Sequence, residues 1–436
     1  MRRLLPTLLI ALAALTAPVS AHAQGPVVPG EVVVQYEGRP EPTVVPVAPG
    51  QTVHQAVRKL SAQEHVTYAV PNHIAHASGF LPDDPGRGGR GNWQRIQWNF
   101  LPGSGIDAPG AWSNMIAASR PGGAGAIVAV LDTGVAYRTA GRFLRSPDFV
   151  AGQFAPGYDF VDRDAFPDDH NGHGTFVAGV IGERVDNGRA LTGIAYGARI
   201  MPVRVLDEQG LGDAAAIARG IRFAASRGAN IINLSLEFDS SVPGSQIPEV
   251  LSALRYAVRK GVLVVAASGN EALRVVAYPA RATGVMSVGA TTEHLCQAEY
   301  SNDGRGLDIV APGGGADAAI EQDPAHCRPN ARPGRDVFQL TFQGSVRRFG
   351  LPGGYQGTSM AAPHVSAIAA LVIASGVIGA RPTPRAIEDR LKATARDLGT
   401  PGVDERYGAG LVDAAKATTP SPALRAAWRR RAAQRR

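Results

Sequence analysis

The chain has 436 residues, 44% of them apolar and 19% charged, the make-up of a globular protein of two or three domains rather than a disordered or fibrous one. The net charge of +7 sits at the ends: without Arg2, Arg3, Arg425, Arg429, Arg430, Arg431, Arg435 and Arg436 the body stands at −1. A body so near neutral has no basic surface for nucleic acid, so no nucleic-acid partner is expected.

The first residues, MRRLLPTLLIALAALTAPVSAHAQ, give a basic start, an apolar core too short to span a membrane, and a small-x-small cleavage pattern. They read as a signal peptide, residues 1–23, cut after Ala23, which makes the protein extracellular or periplasmic. No cysteine follows the cut to take a lipid anchor, and no later stretch is apolar for long enough to be expected as a transmembrane segment. In an exported protein the two cysteines, Cys296 and Cys327, read as one disulfide, with unrelated thiols as the alternative.

Residues 24–79 follow. EVVVQY is β-rich, HQAVRKLSAQ helical and VTYAVPNHIAHA again extended, a β-α-β pattern in a unit too small to be secure alone. Residues 80–104 include LPDDPGRGGRGNWQRIQWNF, rich in Gly, Pro and Arg and without periodicity, and read as a linker and the mature N-terminal segment. From 105 to 418 short apolar runs alternate with helical ones. AIVAVL, RIMPVRVL, NIINLSL, VLVVAAS, GVMSVGA and LDIVA are expected strands; GTFVAGVIGERV, DAAAIARGIRFAASRG and IPEVLSALRYAVRKG are expected helices. This alternation predicts an α/β domain with a mostly parallel sheet and helices on both faces. Functional residues then belong at the C-terminal ends of strands. Residues 313–350 read as an irregular surface insertion, and the Arg-rich tail, 419–436, as solvated or clipped, with contact to an acidic surface or membrane as the alternative.

Strand AIVAVL runs into Asp132, where a buried carboxylate needs a partner. NGHGTFVAG sets His173 between glycines at a helix start, and VLVVAASGNE puts Asn270 in a turn after a strand. YQGTSMAAPHVSAIAALVIASG places Ser359 ahead of small apolar residues, with Pro363 in what reads as the first helical turn. Singly these are ordinary caps and turns. Together they fill the roles of acyl transfer: a nucleophile, a base, an acid that orients the base, and oxyanion donors from the Ser359 N–H and the Asn270 amide.

The segments DTGV, NGHGTFVAG, ASGNE and GTSMAAPHVS resemble the four signature segments of subtilisin-like serine proteases, the subtilase family, over roughly residues 80–418. The resemblance implies a subtilisin-like three-layer fold preceded by a small α+β propeptide. It implies a serine endopeptidase in which Asp132 orients, His173 is the base, Ser359 the nucleophile and Asn270 the oxyanion donor. Phe176 stands where many relatives carry a second, non-catalytic histidine. The resemblance also makes residues 24–79 an inhibitory propeptide, an intramolecular partner removed by self-cleavage between about Ala77 and Gly91.

Protein and peptide substrates are implied, held as an added strand between Gly210-Leu211-Gly212 and Ser235-Leu236-Glu237. The pocket for the side chain before the cut bond is expected between Ser235–Glu237 and Ala266–Gly269, with Ala267 and Gly269 in contact with substrate. Glu237, a glycine in many relatives, is expected at its rim, adding tolerance for Lys or Arg; a solvent-facing, idle Glu237 is the alternative. No catalytic cofactor is implied. Structural Ca²⁺ is expected in GYDFVDRDAFPDD, through Asp159, Asp162, Asp164 and Asp168, a stretch resembling a calcium loop of thermitase-like subtilases, and at a second site joining Asp148 and Asn187. A solvated acidic turn is the alternative. A monomer is expected. Other functional readings are an inactive peptide-binding homologue or a narrow processing protease; the absence of a domain after the catalytic one favours a broad endopeptidase.

Overall fold

Residues 27–48, 50–73, 80–321, 323–330 and 332–433 are described by the structure, a computed structural model; the expected signal peptide lies outside them. The chain divides between Ser78 and Gly79 into two units. In the first, β1 (Val27–Tyr36) lies between β2 (Thr43–Pro46) and β3 (Val66–His73) in an antiparallel sheet. The helix Val53–Ser61 starts in a capping box: Thr52 Oγ1 accepts from the Gln55 N–H, and Gln55 Oε1 from the Thr52 N–H. Alternation along EVVVQY buries Val32 and Val34, which with Ala56 and Ala69 form the whole fully buried apolar core among this unit's described residues. So small a core makes independent stability marginal.

In the second unit seven strands pair in parallel: β4 (Ile127–Asp132), β5 (Tyr158–Asp159), β6 (Arg199–Arg204), β7 (Ile231–Leu234), β8 (Leu263–Ala267), β9 (Val285–Thr291) and β10 (Ile309–Pro312). Their order is β10-β9-β8-β7-β4-β6-β5. Successive side chains go to opposite faces. Val128 and Val130 of β4 join a core with the helices His173–Gly182 and Thr358–Ser375; Ala129 and Leu131 join another with Ala214–Ser226 and Pro248–Arg259. Burial on both faces explains why these strands read as unbroken apolar runs, each large side chain contributing roughly 1.5–3 kcal/mol. The fold is α/β and three-layered, a parallel sheet with helices on both faces, as expected.

One reading needs correction. Residues 80–104 are no linker: Trp93 and Phe100 are fully buried and Trp98 nearly so, in the main core. Their Gly and Arg content masks three large aromatics, whose burial outweighs the local lack of periodicity. The Arg-rich tail is helical over Pro422–Ala433 and anchored by Trp428, 5% exposed, while Arg425, Arg429 and Arg430 face solvent. Cys296 and Cys327 are bonded, with Cα atoms 4.6 Å apart, and tie residues of the irregular insertion back to the chain after β9. Among the described residues one helix, Thr358–Ser375, is long and apolar enough to cross a membrane, but it is 83% buried inside the protein.

Candidate active site

Strand order reverses around β4, whose neighbours β6 and β7 lie on either side, and such a reversal opens a crevice at the strands' C-terminal ends. Asp132 ends β4 there, fully buried. Its Oδ1 accepts from the Thr133 N–H at 2.8 Å and lies 2.7 Å from His173 Nδ1; among the described residues its Oδ2 has no hydrogen-bond partner. Gly174 permits this approach, since a Cβ on it would fall 2.0 Å from the Gly134 carbonyl oxygen and 3.1 Å from Asp132. Burial disfavours a charged His173, but attraction and hydrogen bonding to Asp132 outweigh it and hold its pKa above the ordinary 6.5. Asp169, which sequence reasoning missed, pins the turn before the helix: it accepts from the N–H groups of Asn171, Gly172 and Thr175 and from the hydroxyls of Thr133 and Thr175. Its only signal was its place in DDHNGHGT.

Ser359 is the second residue of the helix Thr358–Ser375, at the positive end of its dipole. Pro363 is not in the first turn as expected but four residues after Ser359. Position i+4 would normally donate to the Ser359 carbonyl, and proline has no N–H to do so. That carbonyl instead accepts from Ser235 Oγ at 2.7 Å, locking the helix start to the chain after β7. The Ser359 hydroxyl donates to the Ser235 carbonyl at 3.2 Å. Among the described residues no hydrogen bond joins Ser359 to His173, although both line one cleft. Catalytic hydrogen bonds in unliganded sites are often long and tighten on substrate binding.

Asn270 follows β8, held on two sides. Its Oδ1 accepts from Thr358, from the backbone at 2.8 Å and the hydroxyl at 3.0 Å. Its own N–H and Nδ2 donate to the Glu237 carboxylate at 3.1 and 2.9 Å. Phe176 stacks on Tyr355, centroids 4.2 Å apart, and is buried away from the chemistry.

The cleft holds about 430 Å³. Gly210, Leu211, Gly212, Ser235, Leu236 and Glu237 line it with His173, Asn270 and Ser359; Thr133, Asn171, Gln209 and Phe238, neighbours of the motifs, were missed. Ala267 and Gly269 are not among the lining residues. Ala267, the last residue of β8, has no exposure, and Gly269, at φ +118°, backs against Asn302, whose Nδ2 would lie 2.2 Å from any Cβ there.

The acidic loop forms no oxygen cage. Arg204 takes Asp159 and Asp162 together, at 2.8 and 2.6 Å; Asp168 pairs with Arg138 at 2.6 Å; Asp164 caps the Phe166 N–H. A guanidinium from β6 supplies the positive charge expected of Ca²⁺, and sequence spacing gave no view of it. Among the described residues no three His, Cys, Asp or Glu side chains converge as a metal site. The second pair differs. Asp148 and Asn187 meet, Nδ2 donating to Oδ1 at 2.6 Å, and among the described residues the buried Asp148 Oδ2 has no hydrogen-bond partner. Burial pushes Asp148 up to about 7. Asp84, missed inside the supposed linker, is fully buried beside them and accepts from the N–H groups of Asp186 and Asn187. Two buried carboxylates, one with an unpartnered oxygen, are hard oxygen donors of the kind that suit Ca²⁺.

Residues 123–410 match the family model described as Subtilase family. The chain is similar to Subtilisin Savinase of Lederbergia lenta, 34% identical over 325 residues, 74% of this chain and 99% of that protein. It is 36% identical over 280 residues to a cell wall-associated protease of Bacillus subtilis, covering 64% of this chain but 26% of that longer protein. A solved protease of Pseudoalteromonas arctica superposes with a TM-score of 0.61 at 30% identity, over 78% of this chain and 99% of that one.

Proposed function

We propose, from the premise that this chain belongs to the subtilase family and is a serine-type endopeptidase, that Ser359, His173 and Asp132 carry its chemistry through an acyl-enzyme. The observation that carries this assignment is the 2.7 Å contact of His173 with the buried Asp132, in one cleft with Ser359 and Asn270. His173 Nε2 takes the Ser359 proton as Oγ attacks the peptide carbonyl. Asp132 fixes the tautomer that leaves Nε2 free and stabilises the imidazolium. The Ser359 N–H and Asn270 Nδ2 receive the oxyanion. His173 then protonates the leaving amine, water enters, and the same base activates it to release the acid.

Asn270→Ala is expected to lower kcat about 10²–10³-fold with KM little changed, a scale taken from the equivalent donor of a subtilisin. Steady-state kinetics on a peptide series measures it, and an unchanged kcat removes Asn270 from the oxyanion site.

The small first unit, residues 24–79, acts as a self-cleaved inhibitor in an exported zymogen. Asp84 bonds the 186–187 turn, and the Gly86 N–H bonds the Ala190 carbonyl, which argues for a cut upstream of Asp84. Asp84, Asp148 and Asn187 would hold a structural Ca²⁺, which when bound would neutralise the buried carboxylates. Mass action then stabilises the folded state. Chelator should lower the melting temperature by about 5 °C or more, and Asp148→Ala should abolish the response. An unchanged melting curve contradicts the site.

A further inference from the structure

The segment Ser235–Glu237 touches both reacting ends of the cleft. Ser235 bonds the hydroxyl and carbonyl of Ser359, and two residues on, Glu237 takes both donors of Asn270. We propose that Glu237 reads the charge of the substrate residue before the cut bond and passes it to the oxyanion donor, so that a Lys or Arg there raises kcat and not only affinity. This rests on the assignment of Asn270 as that donor.

The argument is electrostatic. A peptide carbonyl attacked by Ser359 must place its oxygen about 3 Å from Asn270 Nδ2. That nitrogen is already 2.9 Å from Glu237 Oε2. A carboxylate so placed holds the amide in orientation, but its charge opposes the negative charge developing on the substrate oxygen. Among the described residues no Lys or Arg pairs with Glu237, and Glu271 adds a second acid nearby. Half-burial and the Glu271 charge push the Glu237 pKa up, as an uncompensated carboxylate requires. The side chain of the residue bearing the attacked carbonyl lies in the same cleft as Glu237. A cation there cancels the opposing charge and leaves the orienting hydrogen bonds in place. An apolar side chain leaves the charge, and an acidic one adds to it. Glu237 is thus a positioning residue for Asn270 and a specificity determinant.

The test uses three peptides that differ only in Arg, Leu or Glu before the cut bond, with kcat and KM measured separately. The wild type should show kcat in the order Arg, Leu, Glu. Glu237→Gln should raise kcat for Leu and Glu and change it little for Arg, whose wild-type pair is already neutral and which no longer has a carboxylate to hold it there, changing the Arg-to-Glu ratio by about tenfold or more. Glu237→Asp, which keeps the charge, should keep the order. A role confined to structure would scale all three substrates together, and that result overturns the proposal. Equal wild-type kcat for the three peptides overturns it without any variant. Loss of kcat in Asn270→Ala alongside either result would leave the oxyanion assignment standing and this inference alone refuted; an unaffected Asn270→Ala refutes both.

Discussion

Ser359→Ala lowers kcat/KM on peptide substrates by about 10⁴–10⁶-fold, the scale of removing a triad nucleophile in this family. The fold should be unaffected. Ser359 lies near the start of an 18-residue helix whose core face is small apolar residues, and alanine fits a helix as well as serine. Loss of the hydroxyl removes one bond to the Ser235 carbonyl, while the Ser359 backbone carbonyl keeps its bond from Ser235 Oγ. Unchanged thermal melting with abolished turnover is the expected pair of results. The residual rate reflects substrate binding and the oxyanion donors, which stay in place.

Asp132→Asn lowers kcat by about 10⁴-fold, because an amide does not enforce the tautomer that leaves Nε2 free to accept the Ser359 proton. It also moves the pH profile. The base must be neutral to act, so wild-type kcat/KM rises with pH through the His173 pKa, which Asp132 holds above 6.5. Without the carboxylate, burial is opposed only by the weaker attraction of Asp169, and the inflection shifts to lower pH. Stability follows the same linkage: the contribution from a raised histidine pKa is fully present below the unfolded value near 6.5 and is lost as pH rises through the folded value. That slope should be absent in Asp132→Asn. Activity of the variant within tenfold of the wild type, or an unmoved inflection, contradicts the orienting role.

The strands and helices around the cleft were legible because burial on both faces of a parallel sheet writes itself as short apolar runs, as in AIVAVL and VLVVAAS. Asp132, His173, Asn270 and Ser359 were legible because each sits where an element starts or ends. What local pattern could not show was pairing across the chain. Arg204 is 45 residues from Asp159, and no spacing rule in the acidic loop points to it. Asp84 meets the 186–187 turn across about a hundred residues and hid in a Gly-rich stretch that also concealed Trp93 and Trp98. Glu237 could be placed beside the substrate from its position, but not on Asn270, since that contact depends on how two strand ends align. Pro363 was seen, yet its role was misplaced by one turn, because the freed Ser359 carbonyl becomes meaningful only once Ser235 is beside it.

The most direct test of the account is intact-mass measurement and peptide mapping of wild type and Ser359→Ala after exposure to a fluorophosphonate probe, with calcium present. The account predicts one probe mass on the wild type, mapped to Ser359, with loss of the residues before Asp84. The variant should remain full-length and unlabelled. A folded wild type that takes no label, or a label mapped to any other residue, would contradict the assignment of Ser359 as the nucleophile.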